Sequence, residues 1–387
     1  MSASSITNAI TSDHRKRLLK GNGPGRAADV PGNPAAAVLI GFDWGTNKSC
    51  IKAALSGAKD DSVSLIVPTV VGYTNEGIVE NLLPGNRRTF FGEEALKHRL
   101  HLRLVQPMVD GVIADLSASR DFAQHIRSLI DPPAGAELRA VIGLPANAQR
   151  AARESLRHAV AGVFDRVILI PEPFLAALGY RDESRLARPG YVDPVQNSLF
   201  VDIGAGTTDV CMVQGYYPTA EDQISQAFAG DKVDALLNEA IRKTYPDCAL
   251  PQHKICEIKE QHSYVGQLDK PILINAVVGG KMRRLDVGEQ IGGACTELLR
   301  RILESVKLLI ARASSDSVSE LLQNIVLTGG GSLIRQIDTE LQRLLTEEGY
   351  EQPRVRVVGE RYKEFVAIGA RKAARQAKET QWQQLIA

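Results

Sequence analysis

Short aliphatic and β-branched runs, each ended by a turn, recur along the chain and predict a series of strands. Val38–Phe42, Cys50–Leu55 and Ser64–Val67 come first and predict an opening β-meander. Pro68–Tyr73 then leads into a small polar insertion that ends near Arg103. Ala140–Leu144, stopped by Pro145, reads as a strand, Ala148–Val160 as a helix and Val167–Ile170 as another strand. Pro171-Glu172-Pro173 opens a helix that runs to Tyr180, with proline in the first turn, where its missing N–H is no loss. After a charged connector, Asp182–Asn197, the pattern restarts at Ser198. A hairpin, helices, a strand near Pro271–Val278, a long amphipathic stretch over Val287–Arg312 and a strand at Asn324–Thr328 follow, and Phe365–Ala370 closes as a helix near a hinge. A pattern that restarts predicts an α/β fold duplicated within one chain, with a cleft between its halves.

Length supports that reading. At 387 residues the chain exceeds the size at which one hydrophobic core keeps growing, and 44% apolar residues suffice for two cores. The expected divisions are an arm over 1–35, a first domain over 36–180 with an insertion at about 68–104, a second over 181–370 with an insertion at about 231–320, and a terminal helix or tail over 371–387. The arm is rich in Ser, Thr, Asn, Gly and Pro and reads as disordered. Its cluster His14-Arg15-Lys16-Arg17 with Lys20 reads as a solvated tail, the alternative being a dock for an adaptor or cargo protein, a membrane or nucleic acid.

Charge and cysteine usage narrow the classes. A formal net charge of +1 gives no support for general polyanion binding, so no specific nucleic acid partner is expected. Five cysteines, with no Cys-x-x-Cys pair, argue against a disulfide framework or a zinc site and fit a reducing cytoplasm. No run of about 18 apolar residues exists, and the N-terminus is not signal-like, so a soluble protein is expected. Arg371, Lys372, Arg375 and Lys378 together with Trp382, Leu385 and Ile386 read as a terminal helix packed on its own domain; the alternative is an interfacial membrane helix.

Chemistry concentrates at three turns. Val38–Phe42 runs into Asp43-Trp44-Gly45-Thr46-Asn47, and Ser198–Val201 into Asp202-Ile203-Gly204-Ala205-Gly206-Thr207-Thr208-Asp209. The third run, Asn324–Thr328, ends in Gly329-Gly330-Gly331-Ser332. Glycine lets backbone N–H groups approach phosphate oxygens, and Thr or Ser hydroxyls add donors at the same range. An Asp just before such a turn suits a hydrated cation better than a bare phosphate. Each of the first two hairpins therefore reads as half of a polyphosphate and Mg²⁺ site. The third lacks the Asp and opens onto Leu333-Ile334-Arg335, read as a helix start, so it suits the purine and ribose end. Any one of these turns alone is more often just a tight connection. No Gly-x-x-x-x-Gly-Lys-Ser/Thr and no Gly-x-Gly-x-x-Gly opening a helix occurs.

Taken together the three turns resemble the phosphate 1, phosphate 2 and adenosine motifs of the actin, sugar-kinase and heat-shock superfamily. Connecting runs such as Glu172-Pro173-Phe174, Glu221-Asp222-Gln223 and Lys259–Gly266 are similar to bacterial actins, in particular to their magnetosome-associated branch. The resemblance covers roughly residues 36 to 375. It implies a duplicated actin-like (ribonuclease H-like) fold, ATP/ADP and Mg²⁺ as cofactors, and head-to-tail self-association. It further implies that Asp43 and Asp202 hold Mg²⁺ largely through water, and that Gly45, Thr46, Asn47, Gly204, Gly206, Thr207 and Thr208 clamp the phosphates. Gly230, Lys259 and Glu260 would wall the ribose and adenine, and Gly329, Gly330 and Ser332 would approach the adenosine and α-phosphate. Glu172 would orient the attacking water with Asp209 assisting; read by itself, Glu172 is a favourable charge at a helix start. Lys259 and Glu260 by themselves are ordinary charges on a solvated helix face, and Asp209 is a turn-stabilising Asp.

Two departures stand out. Trp44 is bulky for its position, either touching nucleotide or packing beneath the hairpin, and Lys48 is an unusual cation, either a phosphate contact or a surface lysine. The function implied is a cytoskeletal ATPase whose filaments turn over on hydrolysis and position organelles or other cargo. The alternatives are a small-molecule kinase of the same superfamily, for which no acceptor constellation is found, and a membrane-tethered cell-division relative. A heat-shock chaperone would require a further substrate domain.

Overall fold

The computed structural model describes residues 37–385; the basic cluster at 14–20, with the rest of the arm, lies outside the described residues. Two sheets carry the fold, and they share one topology. In the first, Val63–Pro68, Lys48–Leu55, Ala37–Trp44, Glu137–Leu144 and Arg166–Pro171 lie in that order. In the second the corresponding order is Gln223–Gln226, Thr208–Val213, Ser198–Ile203, Ile325–Thr328 and Val355–Val357. Each sheet begins as an antiparallel hairpin, and the hairpin's first strand then pairs in parallel with a strand that returns after a crossover. A parallel pairing needs such a long return, and the helices that supply it cover the sheet faces, which is why these strands read as almost unbroken apolar runs.

Separate cores form on the two sheets, and a third joins them. Phe42, Trp44, Phe122, Ile142 and Phe164 belong to the first core, and Val201, Leu237, Ile291, Ile302 and Leu341 to the second. The joining cluster takes Val141 from the first sheet, Phe200 and Val326 from the second, and Leu175, Ala176, Val366 and Ala370 from two helices, Glu172–Tyr180 and Tyr362–Gln376. Those helices cross at glycine. A Cβ on Gly179 would overlap the Phe365 carbonyl, and one on Gly369 the Leu175 carbonyl, so both positions must be bare for the helices to touch. The segment after Arg103 contributes a two-residue hairpin, Met108–Val109 with Val112–Ile113, and the polar insertion before it makes a small three-stranded sheet over its own core of Val70, Leu83, Phe90, Ala95 and Leu102.

The C-terminal segment differs from the expected terminal helix. Residue 371 lies inside the Tyr362–Gln376 helix, and after it the chain makes a short turn and a strand, Gln383–Gln384, that pairs with Arg166–Val167 at the edge of the first sheet. Trp382 is buried in the joining cluster and Leu385 packs on the first core, so neither is offered to a membrane. No helix among the described residues is long and apolar enough to cross one.

Candidate functional site

The three glycine turns meet in one cleft of about 450 Å³. Each is built differently. In the first hairpin a Cβ on Gly45 would stand 2.6 Å from the Lys48 carbonyl, so glycine is what allows the turn to close. Beneath it Trp44 is fully buried, stacked 5.1 Å from Phe42 and 6.0 Å from Phe122, and its indole N–H has no partner. Trp44 thus packs under the hairpin while also lining the cleft wall. The Thr46 hydroxyl accepts from the Gly111 N–H at 3.4 Å.

Hydrogen bonds brace the second hairpin. The Gly204 N–H donates to the Thr207 carbonyl at 2.9 Å, and the start of helix Gly230–Thr244 ties back to the turn, Gly230 N–H to the Gly204 carbonyl at 3.2 Å and Asp231 N–H to the Ala205 carbonyl at 2.8 Å. Asp209 is buried and accepts from the Thr207 hydroxyl at 2.7 Å and from the Ala146 N–H at 2.9 Å. Because Ala146 follows a strand of the first sheet, Asp209 links the two halves directly. A Cβ on Gly206 would come within 2.6 Å of the Asp110 Cα, another approach between halves that only glycine permits.

At the third turn Gly329 has φ of +77°, and a Cβ there would collide with the Asp202 carboxylate. Ser332 donates its hydroxyl to the Gly329 carbonyl at 2.7 Å and is buried, so it fastens the turn. The helix expected at Leu333 starts later. Gly330–Leu333 is a 3-10 turn, Gln336 takes a left-handed φ of +66°, and the helix runs over Ile337–Glu347. The chain must reverse once more before it can wind.

Four carboxylates, Asp43, Glu172, Asp202 and Asp209, concentrate between the first two hairpins. Burial raises all four, and neighbouring carboxylate charges raise Asp43, Glu172 and Asp202 further. Burial and then the neighbouring Asp202 hold the Asp43 carboxyl well above its usual range. Burial, then Asp43, Asp202 and Asp209, do the same to Glu172, whose side chain lies over Gly143. Asp202 is pushed up to about 7 by burial and Asp209. Asp209 reaches only about 6, because hydrogen bonds from Ser225, Thr207 and Ala146 favour its charged form. Such a cluster is electrostatically incomplete and attracts a cation. Asp43, Glu172 and Asp202 all line the cleft, and carboxylate oxygens gathered in this way fit a hard cation such as Mg²⁺.

Of the residues singled out in the sequence, Asp43, Gly45, Thr46, Asn47, Glu172, Asp202, Gly204, Gly206, Thr207, Gly230, Lys259, Glu260, Gly329 and Gly330 line the cleft. Thr208 and Asp209 do not, nor does Ser332; Thr208 donates to the Phe228 carbonyl at 2.8 Å behind the hairpin. Lys259 is no free surface charge, since its ammonium pairs with Asp234 at 2.9 Å and donates to the Gly230 carbonyl at 3.0 Å. Four cleft or cleft-edge contributors were missed in the sequence: the Asp110-Gly111 turn, Ala146, Tyr362 and Lys363. Only the first has a local signal that could have found it, an Asp-Gly pair suited to a left-handed hairpin tip.

Comparison with known proteins agrees with this geometry. The family model described as "MreB/Mbl protein" matches residues 39–381. Actin-like protein MamK of Magnetospirillum gryphiswaldense is 32% identical over 315 residues, covering 80% of this chain and 82% of that protein. Among solved structures, the MamK double helical filament aligns with a TM-score of 0.79 at 29% identity, covering 88% of this chain and 100% of that one. A non-polymerising MamK mutant bound to AMPPNP aligns with a TM-score of 0.65 at 29% identity, over 88% of this chain and 99% of that one. With the match running through both sheets and the cleft between them, the chain belongs to the MreB/Mbl family of actin-like proteins.

Proposed function

We propose that this protein is an ATPase that polymerises head to tail into cytoskeletal filaments with ATP and Mg²⁺, uses hydrolysis for filament turnover, and positions organelles or other cargo. The observation that carries the reading is the convergence of the two hairpin carboxylates, Asp43 and Asp202, with Glu172 in one glycine-lined cleft. Backbone N–H groups at Gly45, Thr46, Asn47, Gly204, Gly206 and Thr207 take the phosphates, and Gly329 and Gly330 face the adenosine end. Gly230 and Lys259, held together, form the ribose wall with Glu260. Asp43 and Asp202 would hold Mg²⁺ through water, and the ion would supply neutralisation of phosphate charge. Glu172 accepts the proton of the attacking water. Asp209, Thr208 and Ser332 shape the turns around them. The MamK filament structure and the AMPPNP complex of a MamK mutant support the assembly and nucleotide parts by similarity.

Subunits joined by a heterologous surface form open filaments, and nucleotide state shifts the assembly equilibrium by binding one conformation better. Sedimentation together with phosphate release tests the proposal. The expected result is material that pellets above a critical concentration with ATP and Mg²⁺ and releases phosphate as it does so. Discrete small particles across salt and nucleotide conditions would overturn it in favour of a superfamily kinase.

A further inference from the structure

Lys48, one of the two departures in the first hairpin, gains a counterpart from the far end of the chain. Lys48 is exposed and lines the cleft together with Tyr362 and Lys363 of the Tyr362–Gln376 helix. The Tyr362 ring lies along the third glycine turn: a Cβ on Gly330 would stand 3.9 Å from both its ring edge and its hydroxyl. The Lys363 ammonium sits 5.5 Å from the ring centre. Tyr362, Lys48 of the first hairpin and Glu260 of the second half all line this cleft; burial raises the Tyr362 phenol, Lys48 opposes that shift and Glu260 adds to it. Among the described residues the ion pairs bordering the cleft include Lys259–Asp234 and, sharing Glu364, Lys52–Glu364 and Arg361–Glu364, and neither Lys48 nor Lys363 joins one.

This helix also reaches the cleft floor. One turn on, Val366 lines the cleft beside Glu172, both side chains pressing on Gly143. The helix is locked to the Glu172 helix by the Gly179 and Gly369 crossing. A residue at its start is therefore fixed relative to the carboxylates.

We infer that Tyr362 and Lys48 are the two jaws of the cleft mouth, the Tyr362 ring stacking on the nucleobase and the Lys48 ammonium pairing with the phosphates. The inference rests on the nucleotide reading of this cleft. An aromatic face binds any base, because every base presents a π surface, whereas an ammonium on a flexible stem acts as a point charge on phosphate. The two jaws therefore recognise different parts of one ligand.

Two probes separate them: ATP with Mg²⁺, and tripolyphosphate with Mg²⁺, which has no base. Tyr362→Leu is expected to weaken ATP by about 10-fold, in the range of one lost base stack, and to leave tripolyphosphate unchanged. Tyr362→Phe keeps the ring and is expected to bind ATP like the wild type. Lys48→Met is expected to weaken both probes by a similar factor. Equal loss of both probes in Tyr362→Leu would make Tyr362 a structural residue and overturn the inference, as would unchanged ATP binding in Tyr362→Leu or Lys48→Met. Absence of ATP binding in the wild type would instead sink the nucleotide reading itself.

Discussion

The two phosphate hairpins occupy the same place in two sheets of one topology, yet they are held by different forces. The first rests on a stack of aromatic rings, Phe42, Trp44 and Phe122, with few polar ties. Hydrogen bonds lock the second from two sides, Asp209 from behind and the start of the Gly230–Thr244 helix from the flank, and Asp110 of the opposite half packs against Gly206. A duplicated backbone therefore does not require duplicated support. The difference assigns an apolar anchor to one half of the site and a hydrogen-bonded anchor, which crosses between halves, to the other.

Removing the apolar anchor gives the largest expected effect on the fold. Trp44→Ala should cost about 3–5 kcal/mol of unfolding free energy, as deletion of a buried aromatic does. Chemical denaturation followed by circular dichroism checks this, and a cost under about 1 kcal/mol would show that the stack does not hold the hairpin. Next comes the group that both hairpins surround. Glu172→Gln keeps the shape of the side chain and removes its base, so phosphate release should fall by a factor on the order of 100 while ATP binding and pelleting persist. Loss of binding and assembly together would instead assign Glu172 a structural role at its helix start.

The hydrogen-bonded anchor should respond more mildly. Asp209→Asn keeps one acceptor for the Ala146 N–H and removes a charge that repels Asp202 and Glu172, so the two effects partly offset. A stability loss of about 1–2 kcal/mol is expected, within the range for a weakened buried hydrogen bond, with weakened ATP affinity. Hydrogen exchange at Ala146 and Thr207 reads the anchor directly, and unchanged protection there would contradict it. Smaller still is the contrast between two glycines of the second turn. Gly204→Ala meets nothing closer than the Thr207 carbonyl at 3.1 Å and should cost only a few-fold in ATP affinity. Gly206→Ala, pressed on Asp110, should cost distinctly more, and equal losses would show that the approach between halves does not matter.

The parts of this arrangement that are contiguous in the chain are the parts the sequence reveals. Strand, Asp, glycine and hydroxyl follow one another in each hairpin, so both loops, the restart at Ser198 and the duplicated α/β fold are legible. Residues that arrive by tertiary folding are not. Asp110-Gly111 is a surface turn until it is laid against Thr46 and Gly206, and Tyr362 lies more than three hundred residues from the hairpin it faces. Residue type also misleads about direction. Ser332 and Thr208 have the hydroxyls a phosphate site uses, but each donates to a carbonyl behind its own turn. The helix after the third turn starts at Ile337 because Gln336 adopts a left-handed conformation that no local glycine announces.

If both hairpins serve one hydrated cation and one nucleotide, a double-mutant cycle on their carboxylates reveals the coupling. Mg²⁺-dependent ATP affinity is measured for Asp43→Ala, Asp202→Ala and the pair. If the two side chains hold the same ion through a shared water shell, each single change removes most of the Mg²⁺ dependence and the double variant loses far less than the sum of the two. Losses that simply add would mean that Asp43 and Asp202 act on separate partners and that the two hairpins do not share one ion.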